Sequence, residues 1–75
     1  MGVELPVCSG REAVGAFERA GWQVQRQTGS HIIMTKLGEW ATLSAPNHRE
    51  IDRGTLRALI RTAGLTVAEF VALLT

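Results

Sequence analysis

The sequence predicts an α+β domain in which helices cover one face of a three-stranded antiparallel sheet, and three observations lead there. Two stretches of helical apolar spacing each end in an Ala-Gly pair, at Ala20-Gly21 and Ala63-Gly64. Between them lies a block that alternates and turns as strands do. Capping signals open the first helix and a short third one. The expected order is α-β-β-β-α-α, over one domain spanning residues 1–75.

Ser9-Gly10-Arg11-Glu12 is a capping box, with Ser at the N-cap and Glu at N3. Ala13, Val14, Phe17 and Ala20 follow at helical spacing, so helix 1 is expected over 10–20, with Gly21 at C′ and Trp22 as the apolar contact beyond it. Strands are expected over 22–27, 30–36 and 40–45. A two-residue Thr28-Gly29 turn would pair Arg26 with His31 and Val24 with Ile33, and a loop over 37–39 would pair Ile33 with Leu43 and His31 with Ala45. One face would then carry Trp22, Val24, Ile33, Ala41, Leu43 and Ala45 as core, and the other would expose Ile32, Met34 and Trp40. Asp52 or Thr55 starts helix 2, which carries Leu56, Leu59, Ile60 and Ala63 inward and ends at Gly64. Thr66-Val67-Ala68-Glu69 is a second capping box, opening a third helix with Phe70, Val71 and Leu74 apolar.

Seventy-five residues with 45% hydrophobic content suit one small folded core and exclude a disordered tail. The net charge of +1 hides an uneven distribution. Residues 26–61 carry Arg26, Lys36, Arg49, Arg53, Arg57 and Arg61 against Glu39, Glu50 and Asp52, a local excess of +3 that includes both histidines. Cys8 is the single cysteine, which excludes an internal disulfide and suits a reducing cytoplasm. No apolar run is long enough to span a membrane, and no secretory signal is visible. One Cys and two scattered His do not form a zinc-ligand pattern, so neither metal nor other cofactor is expected.

The candidate chemistry centres on His31, planted just past a tight turn that has no need of an imidazole. The expected register brings His31, His48 and Arg26 to one rim of the sheet. RNA carries its own nucleophile, the 2′-OH. Cleaving it takes a base for that hydroxyl, an acid for the leaving 5′-oxygen and positive charge for the phosphorane. Two histidines and an arginine supply these; the competing reading has His48 bridging a loop and Arg26 paired with Glu39. Arg53, Arg57 and Arg61 recur at i, i+4, i+8 and form one stripe, either a phosphate track or the solvated face of helix 2. Ser30 and Lys36, flanking the second strand, complete the candidate RNA contacts. Ile32, Met34 and Trp40, exposed together, would form a partner surface. A non-catalytic RNA-binding or protein-interaction module on the same fold is the alternative, and an RNA binder that reads shape has no use for His31.

Several of these motifs together resemble one family. They are Ser9-Gly10-Arg11-Glu12, Ala20-Gly21-Trp22, Gln27-Thr28-Gly29-Ser30-His31, Pro46-Asn47-His48, Gly54-Thr55-Leu56-Arg57, and Ala63-Gly64-Leu65-Thr66 followed by Glu69-Phe70. At these separations the chain resembles, over nearly its whole length, the HicA-type toxins of bacterial and archaeal toxin–antitoxin pairs. The resemblance implies a fold like a double-stranded RNA-binding domain, α-β-β-β-α with a short extra C-terminal helix. It implies endoribonuclease activity on mRNA and a HicB-type antitoxin as protein partner. The family's catalytic histidine falls on His31, and His48 matches a Pro-x-His pattern. The chain departs from the family in its low net charge and in Glu39-Trp40, which stands where members often have Gly and Arg.

Overall fold

The computed structural model describes residues 4–74; the outermost ends of the expected domain, residues 1–3 and 75, lie outside the described residues. Helix α1 (Gly10–Arg19) is followed by β1 (Gln23–Thr28), β2 (His31–Thr35), β3 (Leu43–Pro46), α2 (Arg53–Thr62) and α3 (Val67–Leu73), in the expected order. Each helix start is built by a local device. Ser9 Oγ accepts the Glu12 N–H at 3.1 Å, and Glu12 Oε1 accepts the Ser9 N–H at 2.9 Å. These bonds to Ser9, the backbone one foremost, hold the exposed Glu12 carboxyl below its ordinary range. Asp52 caps α2, its Oδ2 accepting from the Gly54 and Thr55 N–H groups at 3.0 and 3.2 Å. Thr66 and Glu69 repeat the reciprocal box on α3.

The helix ends are equally local. The Trp22 N–H reaches the Phe17 carbonyl and the Gly21 N–H reaches that of Glu18, each at 3.0 Å. In α2 the Leu65 N–H bonds the Ile60 carbonyl at 3.1 Å and the Gly64 N–H that of Arg61 at 3.0 Å. Both are Schellman endings, which satisfy carbonyls that the last turn leaves open and fold the next apolar residue back onto the helix. Trp22 is fully buried as a result. Helix α3 docks on α1 through Phe70 against Phe17, with ring centroids 5.2 Å apart. Arg19 Nη1 closes the same contact by donating to the Leu73 carbonyl at 2.7 Å.

The sheet has the order β1-β2-β3, antiparallel throughout, with the helices on one face. Its register corrects the sequence expectation by two residues at the β1–β2 hairpin and by one between β2 and β3. The β1–β2 turn is Gly29-Ser30, closed by the pair Thr28↔His31, and not Thr28-Gly29. A turn centred on Thr28-Gly29 would hold a β-branched residue at positive φ, which is costly; Gly29 takes φ +56° as the first central residue, as a type II′ turn requires. Moving a two-residue turn by one position shifts the β1–β2 partners by two and keeps the faces. It is the one-residue slip between β2 and β3, with Met34↔Leu43 and Ile32↔Ala45 in place of Ile33↔Leu43 and His31↔Ala45, that turns the other side of β2 to the core. Ile32 and Met34 pack inward beside Ala45 and Leu43, their ladder partners. Ile33 is half-buried on the open face, and Val24, expected in the core, is 44% exposed. Because Ile32-Ile33-Met34 is apolar on both sides, alternation alone did not discriminate between the registers.

Two further departures follow from the strand ends. Gln25 is an extra residue in β1, a bulge between Val24↔Met34 and Arg26↔Ile33, on an edge strand whose six residues are all exposed. Strand β3 begins at Leu43 and not at residue 40, so Trp40 stands on the β2–β3 loop beside Leu37, and both are fully exposed.

The register can be read in solution. Met34→Ala should cost about 2–5 kcal/mol in urea denaturation, as truncation of a buried side chain does. Ile33→Thr should cost no more than about 1 kcal/mol. The reverse ranking would restore the register that the alternation pattern suggests.

Candidate functional site at the hairpin end

Three separate chain segments meet at the turn end of the sheet. The Asn47 N–H donates to the Ser30 carbonyl at 2.6 Å, which ties the exit of β3 to the β1–β2 hairpin. The Gly10 N–H donates to the His48 carbonyl at 2.8 Å, and the Ile51 N–H to that of Cys8 at 2.8 Å, so the start of α1 is laced to the 47–51 loop. A Cβ on Gly10 would run into the Pro46 carbonyl oxygen and stand 2.8 Å from the Asn47 Cα. The close approach of α1 to this loop thus requires glycine at position 10.

His31 opens β2 at this rim and is exposed. Its ladder partners are Thr28 and Pro46. Arg26, expected directly opposite His31, is opposite Ile33, because moving the turn by one residue shifts the partner by two. Arg26 and His31 still point to the same open face, as diagonal neighbours across β1 and β2. The side chains of His31 and Arg26 make no hydrogen bond or ion pair among the described residues.

His48, two residues past the partner of His31, reaches the same end of the sheet but lines a different surface. With Ser9, Arg11, Asn47 and Arg49 it walls a cleft of about 200 Å³. Arg11 was not singled out by sequence reasoning. The available signal was the Ser9-Gly10 step, since a glycine at the first helical position marks close backbone approach, and the residue after it necessarily flanks whatever approaches. Beneath the cleft, Cys8 is buried and its thiol is pushed up to about 11, by desolvation first and then by the Glu12 carboxylate. At neutral pH it is a protonated core residue and no nucleophile.

The remaining candidates divide. Arg53, Arg57 and Arg61 are exposed along α2 and form no ion pair among the described residues; Asp52, a conceivable partner, is occupied with capping the helix. Ser30 gives its carbonyl to Asn47 and sits in the turn itself. Lys36 lies past the far end of β2, and its Nζ donates to the Ala20 carbonyl at 2.9 Å. It caps the C-terminus of α1, where a cation meets open carbonyls, at the opposite end of β2 from His31. Ile32 and Met34, at 7% and 0% exposure, cannot form a partner surface with Trp40; their inward turn removes them from the outside altogether. Among the described residues no three His, Cys, Asp or Glu side chains gather as a metal site would, and no helix is long and apolar enough to cross a membrane.

The architecture is a small α+β domain, an open three-stranded sheet backed by helices, and it has known relatives. A chain in a toxin–antitoxin complex from Streptococcus pneumoniae superposes with a TM-score of 0.69 and 34% identity, covering 76% of this chain and 97% of that one. No curated protein matches. The family described as the HicA toxin of bacterial toxin–antitoxin systems matches residues 10–65, and the chain belongs to that family.

The packing of α1 on the rim can be tested with two glycines of one helix. Gly10→Ala should destabilise by about 1–3 kcal/mol, because backbone must move to admit the methyl group. Gly15→Ala, whose Cβ would find nothing nearer than Arg19 Nη1 at 3.8 Å, should be neutral or stabilise by up to about 1 kcal/mol. Equal effects in thermal or urea melts would mean that α1 does not press on the Pro46–Asn47 backbone.

Proposed function

We propose that this HicA-family chain is an endoribonuclease that cleaves mRNA through His31 and is restrained by a HicB-type antitoxin. The observation that carries the reading is His31 itself: an exposed imidazole at the sheet end, with no hydrogen bond within the described residues and no part in the core. A structural histidine would be bonded or packed. This one is presented to solvent beside unpaired guanidinium groups.

The chemistry asked of it is modest. The 2′-OH attacks the adjacent phosphorus as a base removes its proton, and the 5′-oxygen leaves as an acid protonates it. A 2′,3′-cyclic phosphate and a 5′-OH end result. His31 takes one proton transfer, as base or acid, and His48 at the same rim is the candidate for the other. Arg26, on the open face with His31, offsets charge on the phosphorane. Arg53, Arg57 and Arg61 hold backbone phosphates along α2, and Ser30 contacts the strand at the turn. The route needs no metal, and it operates in the cytoplasm, where mRNA is found.

His31→Ala should fold with native stability and lose cleavage of a defined mRNA by roughly 10²–10⁴-fold. Native cleavage should persist in excess EDTA and leave 2′,3′-cyclic phosphate or its hydrolysed form. Native-rate cleavage by the variant, or products ending in 3′-OH, would overturn the assignment.

The antitoxin finds an apolar handle in Leu37 and Trp40, which are fully exposed on one loop. Large apolar side chains fully exposed on one loop suggest a surface that a partner covers. Trp40→Ala should weaken antitoxin binding by about 2 kcal/mol or more, roughly 30-fold, as loss of a buried aromatic anchor does. Thr62→Ala, on α2, should leave affinity in place. Calorimetric affinities that match for the two variants would move the antitoxin off this loop.

A further inference from the structure

We infer that the cleft walled by Ser9, Arg11, Asn47, His48 and Arg49 is a phosphate subsite, which receives an RNA backbone phosphate next to the one being cleaved. The inference rests on the RNA-cleaving reading for the identity of its ligand, but its geometry stands apart from His31. The cleft gathers two guanidinium groups that the sequence separates by 38 positions, and the fold brings them together only because α1 is laced to the 47–51 loop.

The charge of the cleft is not consumed internally. Arg11 and Arg49 form no ion pair and no hydrogen bond among the described residues. The acids on the same segments are Glu12, Glu18 and Glu50; Glu18 lines a separate hollow with Arg11 but forms no ion pair with it. Glu12 turns its carboxylate onto the Ser9 N–H, and Glu50 pairs with nothing among the described residues. The helix start adds little, because the Gly10 N–H already serves the His48 carbonyl and the Glu12 N–H serves Ser9 Oγ. The attraction therefore comes from the side chains. Two planar forks around one hollow are what recognises a phosphate bidentately.

Size and place narrow the ligand. At about 200 Å³ the open cleft is below the roughly 300 Å³ at which small-molecule pockets begin, and it has room for a phosphate group with its water. It lies at the same end of the sheet as His31, joined to the hairpin through Asn47 and Ser30. A strand crossing the rim would set one phosphate at His31 and present a neighbouring phosphate to Arg11 and Arg49.

The test uses the intact chain and two probes. Inorganic phosphate, titrated by NMR, should move the side-chain resonances of Arg11, Arg49, Asn47 and His48 first. Arg11→Gln and Arg49→Gln should each weaken that response at least about fivefold, since each removes a charge-assisted hydrogen bond. A 2′-O-methyl oligoribonucleotide, which binds but cannot be cut, should bind the double variant with a log–log salt slope lower by roughly 0.7, the signature of one lost phosphate contact on a single strand. Both results are required. Phosphate shifts that centre on Arg53, Arg57 and Arg61, or an unchanged slope in a folded double variant, overturn the subsite. Neither probe needs turnover, so a chain that binds both probes as expected yet never cleaves RNA would retain the subsite and lose the enzyme reading.

Discussion

The site exists because two backbone hydrogen bonds hold three distant pieces of chain together. Asn47 to Ser30 fastens the exit of β3 to the hairpin, and Gly10 to His48 fastens the start of α1 to that same exit. Backbone bonds of this kind are indifferent to side-chain identity, and that leaves the side chains of the segment free for chemistry. Remove the close approach at Gly10 and the α1 terminus lifts from the loop, taking Arg11 with it. The rim is thus a product of main-chain geometry, with histidines and arginines mounted on it.

The same economy explains where polar side chains are engaged and where they are not. Ser9, Asp52, Thr66, Glu12 and Glu69 are all used on helix starts. Arg19 and Lys36 are used on carbonyls at helix ends. His31, Arg26, Arg11, Arg49 and the α2 arginines remain without a partner among the described residues. Three of the seven acids, Glu12, Asp52 and Glu69, are engaged on helix starts while most arginines are unpartnered, so a protein whose net charge is only +1 can still offer a locally basic surface. Membership of the HicA toxin family gives that surface a biological setting, and the likeness to a chain from a toxin–antitoxin complex extends over most of both chains.

Edge strand β1 shows how the fold handles an exposed sheet. Its bulge at Gln25 and its fully exposed polar run make it a poor template for pairing with another chain. The apolar exposure is concentrated elsewhere, on the β2–β3 loop, where Leu37 and Trp40 stand clear of the body. Separating the hydrophobic handle from the sheet edge keeps a protein contact from becoming an open-ended strand addition.

Helix positions, their caps and their Ala-Gly endings were legible in the sequence because each depends on residues within four or five positions of one another. Ser9 finds Glu12, Gly21 finds Glu18, and no distant partner is consulted. The presence of His31 at a hairpin end was legible for the same reason. What the sequence did not determine was which side of β2 faces inward. Ile32, Ile33 and Met34 satisfy either side, and the choice fell to the pairing with β3, where Met34 meets Leu43 and Ile32 meets Ala45. The turn at Gly29 offset Arg26 from His31, and the one-residue slip against β3 buried Ile32 and Met34. Arg11 joined Arg49 and His48 for a reason still less local: a glycine in α1 allows two backbones to touch, and contact between segments so far apart in the chain is settled by tertiary packing alone.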